Sequence, residues 1–405
     1  MRPKVFEIVL TNNEAVFYSG QTLQGHVILE LDKNVKVSGI KLVFHGKAFV
    51  HWTEQVMRGP GESRFKEVRH HSATEDYIDV TLPLLSKSNQ QDEERTLESG
   101  QYTYPFQFHI PASSPSSFEG QYGFIRYWIK VAIERPWKED VSVKKLFTVI
   151  YPVDLNREPT ADQPIHNKRE KRLCCLCCVS GPISASLSLS HKGYVPGETL
   201  YVNAEISNHS KRKVGSTSVE LLMTTTFHTP IKSRSVTQQV ASIQHGSLRH
   251  GDNDTWEGDP LVLPPVPPSY MIGCGIIDVR YTLELRVFPV GPAFELSVPL
   301  EILIGTVPLN STIDRYLAMH QMTPPTPRNL NFNHRGASAI QDNDIRPSYL
   351  SPNFSSSSVC RHHLHDDDDD HSTTFENNYT PYFVVYNFQV VPPRRQHAVS
   401  FATLQ

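Results

Sequence analysis

The stretch YSGQTLQGHVILEL at 18–31 has a counterpart 177 positions later. There, residues 194–206 read YVPGETLYVNAEI, so that Gly20, Thr22 and Leu23 fall on Gly197, Thr199 and Leu200. Each copy runs on into a polar turn and a second β-prone run: DKNVKVSGIKLVFHG after the first, SNHSKRKVGSTSVELLMT after the second. A turn and both flanking strands repeated at one fixed offset mark an internal duplication. The period is far too long for a solenoid and close to the size of a domain. It predicts two similar domains in tandem, and a chain of 405 residues is long enough to bury both cores.

Around the first copy, from residue 4 to about 152, short runs with period-two alternation follow one another: KVFEIVL, LQGHVILEL, GIKLVFHGKAFVHW, YIDVTLPLL, YTYPFQFHI, FIRYWIKVAIE and KKLFTVIYPV. Turn clusters such as RGPGES and ASSPSS separate them, and helical periodicity is hard to find. Within RYWIKVAI, Tyr127, Ile129, Val131 and Ile133 share one face, with Arg126, Trp128, Lys130 and Ala132 on the other. The second copy heads a matching series, from ISASLSLSHKGYVP to FELSVPLEILIGTVPL. The predicted fold is all-β: two tandem immunoglobulin-like β-sandwiches, over 1–156 and 180–311. Residues 157–179 read as a polar linker that carries a basic run and a cysteine cluster. Beyond 311 Ser, Pro, Asn and His dominate, so 312–405 reads as a mostly disordered tail. The apolar stretch YTPYFVVYNFQVV at 379–391 is the exception, able to add as an edge strand to one of the sandwiches. Gly120 and Gly123 read as turn glycines needing positive φ.

Several function classes find little support. A formal net charge of −3 gives no global basic field for nucleic acid or acidic membranes, so any such contact is a local patch. The chain has no run of 18 apolar residues, and its opening MRPKVFEIVLTNNEAVF holds too short an apolar stretch for a signal peptide. With cysteines too clustered for a spread disulfide framework, the expected setting is a reducing, intracellular one. There is no H-E-x-x-H, G-x-S-x-G or G-x-x-x-x-G-K-[ST], and none of the 19 histidines is framed as a nucleophile's base by a recognisable motif. GCG at 273–275 lacks the third glycine of a dinucleotide fingerprint. The chain is expected not to be an enzyme and to need no cofactor.

Six ordered blocks are more specific than any strand pattern. They are HGKAFVHWTE at 45–54, SFEGQYGFIRYWIKVAIERPW at 117–137, FTVIYPVDLN at 147–156, SGPISASLSLSHKGYVPGE at 180–198, VPPSYMIGCGIIDVRYTLEL at 266–285 and PLEILIGTVPL at 299–309. Together, over residues 4 to about 309, the chain resembles the arrestin-domain-containing proteins, the α-arrestins. The resemblance implies two arrestin-type sandwiches and a non-enzymatic adaptor. Such an adaptor couples receptors or transporters to HECT-class ubiquitin ligases and endosomal sorting factors, from the cytoplasmic side of the plasma membrane and endosomes. A structural or signalling scaffold without ligase recruitment is the alternative use of the same fold.

Family members recruit ligases through P-P-x-Y motifs in the tail, where a polyproline II segment enters a WW-domain groove. Here Pro347, Ser348 and Tyr349 follow Arg346 where the first proline would stand, and Pro381 and Tyr382 have no diproline ahead. The literal match, Pro267, Pro268, Ser269 and Tyr270, falls at the lip of a strand in the second sandwich, where a strand-opening role competes with a WW-ligand role. In the folded chain Tyr349 is the tyrosine expected to be accessible.

Cys174, Cys175, Cys177 and Cys178 include two C-x-x-C pairs, but four ligands within five residues cannot readily wrap one tetrahedral zinc. Placed after NKREKR, they have the form of a reversibly palmitoylated, electrostatically assisted membrane contact. Plain reduced thiols are the other reading. His362, His363, His365 and His371 flank Asp366–Asp370, a tract that chelates divalent ions weakly or stays solvated. Tyr316-Leu-Ala-Met and Tyr382-Phe-Val-Val have the form of endocytic sorting signals, a pattern short enough to arise by chance. One branch of the α-arrestins traps thioredoxin through a cysteine shortly before a tryptophan; here Trp256 follows GDNDT, with no cysteine.

Overall fold

Alternation of buried and exposed side chains sorts the strands of each half into two facing sheets. The computed structural model describes residues 3–59, 64–86, 95–175, 178–291, 295–319, 347–352 and 379–388. The first half runs β1 (Val5–Leu10), β2 (Val16–Tyr18), β3 (Thr22–Leu31), β4 (Val35–Val37), β5 (Gly39–Arg58) and β6 (Phe65–Leu85). It continues through β7 (Arg95–Leu97), β8 (Gly100–His109), β9 (Phe118–Glu119), β10 (Gly123–Glu134) and β11 (Val141–Ile150). One sheet has the order β1-β3-β8 and the other β2-β11-β10-β5-β6, with β9 on β10. Tyr127, Ile129, Val131 and Ile133 of β10 are buried, as are Leu23, Val27 and Leu29 of β3. Each such side chain contributes about 1.5–3 kcal/mol by leaving water.

The second half repeats the plan with β12 (Ile165–Cys175), β13 (Cys178–Leu189), β14 (Gly193–Tyr194), β15 (Thr199–Asn208) and β16 (Val214–His228). Then come β17 (Ser233–His245), β18 (Asn253–Val262), β19 (Ile277–Pro289) and β20 (Leu296–Ile304). The order β14-β20-β19-β16-β17 matches β2-β11-β10-β5-β6, and β13-β15-β18 matches β1-β3-β8. In both halves the five-strand order opens on a parallel pair, β2 with β11 and β14 with β20. The repeated turn explains the sequence offset: Gly20 and Gly197 hold φ of +84° and +90°, a region that favours glycine.

Three expectations change. Nearly half of the stretch read as linker, 165–175, is strand β12, an antiparallel edge on β13. Asn167, Arg169 and Lys171 on it donate to the carbonyls of Pro299, Ser297 and Glu295, at 2.8, 3.2 and 3.2 Å. Side-chain hydrogen bonds hold this strand, so it carries no hydrophobic alternation to betray it. Gly120 and Gly123 have no positive φ. They are glycines because a Cβ on Gly120 would meet the Phe227 ring at 2.8 Å, and one on Gly123 the Phe49 carbonyl oxygen at 2.5 Å.

The third change concerns the tail. Its described parts are helix α1 (Asn310–Met319) and two short strands, β21 (Pro347–Leu350) and β22 (Phe383–Tyr386). The strands pair with each other as an antiparallel ribbon, Pro347 opposite Tyr386 and Tyr349 opposite Val384, where an edge strand on a sandwich was expected. Residues 389–391 and the histidine and aspartate tract at 362–371 lie outside the described residues.

The two sandwiches meet along a mixed seam. The Phe227 and Tyr122 rings meet edge to face at 5.7 Å between centroids, and the Arg234 guanidinium lies over the Tyr122 ring at 4.1 Å. Lys232 donates to Glu54 at 2.7 Å, and the Gly275 N–H to the Glu75 carboxylate at 2.9 Å.

Candidate docking seam between the two domains

One buried brace recurs in each half. In the first, the Tyr127 hydroxyl donates to the Pro115 carbonyl at 2.7 Å, and the Val149 N–H to the Ser117 hydroxyl at 2.9 Å. In the second, the Tyr281 hydroxyl donates to the Pro267 carbonyl at 2.7 Å, and the Ile304 N–H to the Ser269 hydroxyl at 2.9 Å. Pro267-Pro268-Ser269 is therefore the structural repeat of Pro115-Ser116-Ser117. All three residues of the second copy are buried, and the chain leaves the brace with Tyr270 at φ +68°. A WW groove reads an extended polyproline II segment, which buried prolines and a left-handed tyrosine do not present. The brace was missed in the sequence, although a signal existed: RYWIKV at 126 and RYTLEL at 280 each follow a P-x-S-aromatic stretch.

Exposure of the two tyrosines is the reverse of that expected. Tyr270 is 37% exposed, beneath the Arg280 guanidinium. Tyr349 is half-buried, edge-on to Tyr18 at 6.5 Å between ring centroids, with the hydroxyls 3.5 Å apart. Burial raises the Tyr349 phenol above its ordinary range. Ser348 is exposed and donates to the Val385 carbonyl at 3.0 Å, inside the ribbon. Pro347 is half-buried in β21, and Arg346 lies outside the described residues.

The ribbon is seated on both domains at once. Val384 and Tyr386 join a small apolar core with Val16, Tyr18 and Ile150 of the first domain and Val195, Leu303 and Leu309 of the second. The Tyr386 N–H donates to the Pro196 carbonyl at 2.9 Å, and its hydroxyl to the Thr306 carbonyl at 2.8 Å. On the first domain, the Tyr379 hydroxyl donates to the Phe147 carbonyl at 3.1 Å, and the Tyr382 N–H to the Thr148 hydroxyl at 3.3 Å. A Cβ on Gly197 would overlap the Tyr386 carbonyl oxygen, so the second copy of the repeated turn is shaped for this contact. Helix α1 fixes that turn from behind. Thr312 donates to the buried Glu198 carboxylate at 3.0 Å, which also accepts from the Val195 N–H at 3.2 Å and lies 3.3 Å from His191.

Beside the ribbon, Thr380, Pro381 and Phe383 wall a cleft of about 390 Å³ shared with Phe118, Met223 and Phe227. Chemically the seam offers backbone carbonyls and an apolar floor to an extended peptide, the means by which strand-like peptides are bound. Its present occupant is the chain's own C-terminal segment.

The phenols in the seam give a pH test. Burial pushes Tyr379 up to about 12, and Tyr18 and Tyr386 are raised by the same cause. A phenol raised on docking favours the docked form fully below its free value, about 10. That contribution is lost as pH rises through 10 towards about 12 for Tyr379. In a spectrophotometric titration, Tyr379→Phe is expected to delete a group ionising near 12. Deletion of a group ionising near 10, the free value, would mean that this ring is not buried in the seam.

The other singled-out residues lie elsewhere. Cys174, Cys175 and Cys178 belong to the β12–β13 hairpin, with Cys175 paired to Cys178, and Cys177 lies outside the described residues. Trp256 is 1% exposed; its indole N–H donates to Asp254 at 2.9 Å and its ring stacks on His245. Tyr316 sits on α1 against Phe388, while Phe383 and Val384, which follow Tyr382, are buried. Among the described residues no group of three or more His, Cys, Asp or Glu could hold a metal, and no helix is long and apolar enough to cross a membrane.

Two sandwiches of one topology, joined at a seam that grips an extended peptide, define a two-domain binding scaffold. The family model described as "Arrestin (or S-antigen), N-terminal domain" matches residues 6–156, and "Arrestin (or S-antigen), C-terminal domain" matches 179–309. The chain belongs to the arrestin family, among the arrestin-domain-containing proteins. It is 32% identical over 317 residues to arrestin domain-containing protein 17 of Caenorhabditis elegans, covering 75% of this chain and 70% of that one. With arrestin domain-containing protein 4 of Mus musculus it shares 33% over 301 residues, 73% of this chain and 70% of the relative. Thioredoxin-interacting protein of Homo sapiens is 28% identical over 302 residues, 74% of each. The second matched region begins at 179, so β12 precedes it.

Proposed function

We propose that the protein is an adaptor that links membrane cargo, receptors or transporters, to HECT-class ubiquitin ligases and endosomal sorting factors. It would act from the cytoplasmic face of the plasma membrane and endosomes, by protein–protein contact. The observation that carries this reading is the ribbon in the seam. Tyr349, the tyrosine of the degenerate tail motif, lies on β21, and β21 is held in place by β22. Opening the seam to another extended peptide and exposing Tyr349 are then one event, because the ribbon cannot leave without both. Docking lowers the apparent affinity of any WW domain by the fraction of chain whose ribbon is released. Arg346 adds to the weakness, since it lacks the ring that presets φ and fills the first slot. That loss amounts to about 5- to 30-fold in affinity.

Proximity labelling in cells tests the reading. Enrichment of plasma-membrane receptors or transporters, endosomal sorting factors and HECT ligases is the expected outcome. Labelling without them overturns it in favour of a structural or signalling scaffold, the use that the missing proline favours.

A further inference from the structure

Among the described residues, the strands longer than four residues that end a sheet are β1, β6, β8, β12, β17 and β18. An edge strand presents N–H and C=O groups that another chain can join, and folded proteins blunt it with charge, proline or a bulge. Five of the six are blunted along their length. β6 carries Arg69, Glu75, Asp79 and Pro83, and Pro105 interrupts β8. Lys168, Arg169 and Lys171 stud β12, while β18 has Glu257, Asp259 and Pro260. On β1, beside Glu7, the Lys145 ammonium donates to the Ile8 carbonyl at 3.1 Å.

β17 is blunted over its far half only. There a register shift opposite Leu221 and Leu222 sets Val240 out of line, and His245 lies 3.2 Å from Asp254 of β18. The near half, 233–239, pairs with β16 in unbroken register, and 235–239 reads SVTQQ, without charge or proline. Apart from its ladder with β16, no backbone hydrogen bond reaches this stretch from the described residues. The same stretch walls the cleft beside the ribbon, where Val236, Thr237, Gln238 and Gln239 line it in succession. Side chains along a strand alternate between its faces, so what four consecutive residues share is an edge. Accordingly Val236 and Gln238 are half-buried and Thr237 and Gln239 exposed. Residues 118–121 of the first domain and Thr380, Pro381 and Phe383 of the tail complete the cleft. Its volume of about 390 Å³ falls within the range of ligand clefts, about 300–1,000 Å³. Of its lining residues only Glu119 ionises, and the Arg126 guanidinium donates to it at 2.9 Å.

We propose that this edge is a peptide-docking site: an extended, uncharged segment of a partner protein adds to β17 as a further strand, with alternate apolar side chains turned onto Met223 and Phe227. The lining selects against charge. An acidic or phosphorylated segment would leave water for a cleft whose one ionised group is already an anion. Continuity with the ribbon selects an extended chain, because residues 380–383 already run along this cleft, fixed by the Tyr382 N–H on the Thr148 hydroxyl at 3.3 Å. A second copy's β17 would have to bring its sheet between these walls, where a single strand suffices. The site is complete while the ribbon stays docked, since the ribbon segment supplies one wall. It lies on a surface that ligase recruitment does not use, and holds whether or not a ligase is recruited.

The probe is a phage-displayed library of random 12-residue peptides selected on the full-length chain, with the enriched sequences then synthesised. Expected are sequences without net charge that carry β-branched or aromatic residues at alternate positions. A strand added at an edge bonds along one side only. N-methylating one alternate set of peptide amides therefore weakens binding about tenfold or more, while methylating the other set leaves it within about twofold. Gln238→Lys places a charge on the half-buried side of the edge and weakens the same peptides about tenfold or more, with the thermal melt unchanged. If that variant does not fold, the two methylated sets decide alone. No enrichment, equal losses from both methylated sets, or undiminished binding to a folded Gln238→Lys chain overturns the proposal. A wild-type chain that runs as a dimer and becomes a monomer in Gln238→Lys overturns it in favour of a second copy.

Discussion

Gly197→Ala releases residues 379–388 from the seam, whereas Gly20→Ala, the same substitution in the other copy of the repeated turn, leaves them in place. Both glycines hold a φ near +90°, where an alanine is strained by roughly 1–2 kcal/mol. They differ in what the added methyl meets. At Gly20 the nearest atom is the Ala112 Cβ, at an ordinary 3.7 Å. At Gly197 the methyl would overlap the Tyr386 carbonyl oxygen, with the carbonyl carbon and amide nitrogen of the same residue at 2.9 and 3.1 Å, all of them backbone atoms. The Tyr386 N–H then loses the Pro196 carbonyl, and with it the register that seats Val384 in the shared core. In hydrogen exchange, amides of 379–388 should exchange about 100-fold faster or more in Gly197→Ala, as roughly 3 kcal/mol of lost docking implies. The central strands β10 and β19 stay protected. If both variants leave 379–388 equally protected, the turn at 197 does not hold the ribbon.

Tyr281→Ala is expected to cost about 3–5 kcal/mol of stability, the range for emptying a fully buried aromatic site. The ring has no exposed surface, and its hydroxyl meets the Pro267 carbonyl. Tyr281→Phe separates the two contributions: the volume stays, the carbonyl loses its donor, and the loss falls to about 1–3 kcal/mol. Tyr127→Phe should cost a similar amount in the first domain, because Tyr127 and Pro115 repeat the same bond. Urea unfolding of the three variants checks this. A loss under about 0.5 kcal/mol for either phenylalanine variant would place the brace outside the forces that hold the sandwiches together.

Much of this fold was legible because duplication and alternation are local signals. The offset that carries Gly20 to Gly197 predicted the repeated turn, and the inward face of β10 was read residue by residue. What escaped has non-local causes. β12 is polar and is held by Asn167, Arg169 and Lys171 reaching carbonyls some 130 residues away, so no periodicity marks it. The ribbon pairs Pro347 with Tyr386 across a stretch of unlike composition, and strands of four residues carry too little pattern to find each other in a sequence. The P-P-S-Y string invited comparison with tail motifs, but its meaning came from Pro115-Ser116-Ser117 in the other domain. Gly120 and Gly123 were assigned the wrong cause, since the Phe118 and Phe227 rings crowd the first and the Phe49 carbonyl the second, and Phe227 and Phe49 come from distant strands.

Binding of an isolated HECT-ligase WW domain to the full-length chain tests the central claim most directly, namely that the docked ribbon hides Tyr349. The comparison is between wild type and a chain whose ribbon is released by Tyr386→Ala or Val384→Asp, each with Tyr349→Ala or Tyr270→Ala added. Predicted is weak binding to wild type and binding at least about tenfold tighter once the ribbon is released. That gain is lost with Tyr349→Ala and indifferent to Tyr270→Ala. Equal affinity in docked and released chains, or binding abolished by Tyr270→Ala in a folded protein, would contradict the account.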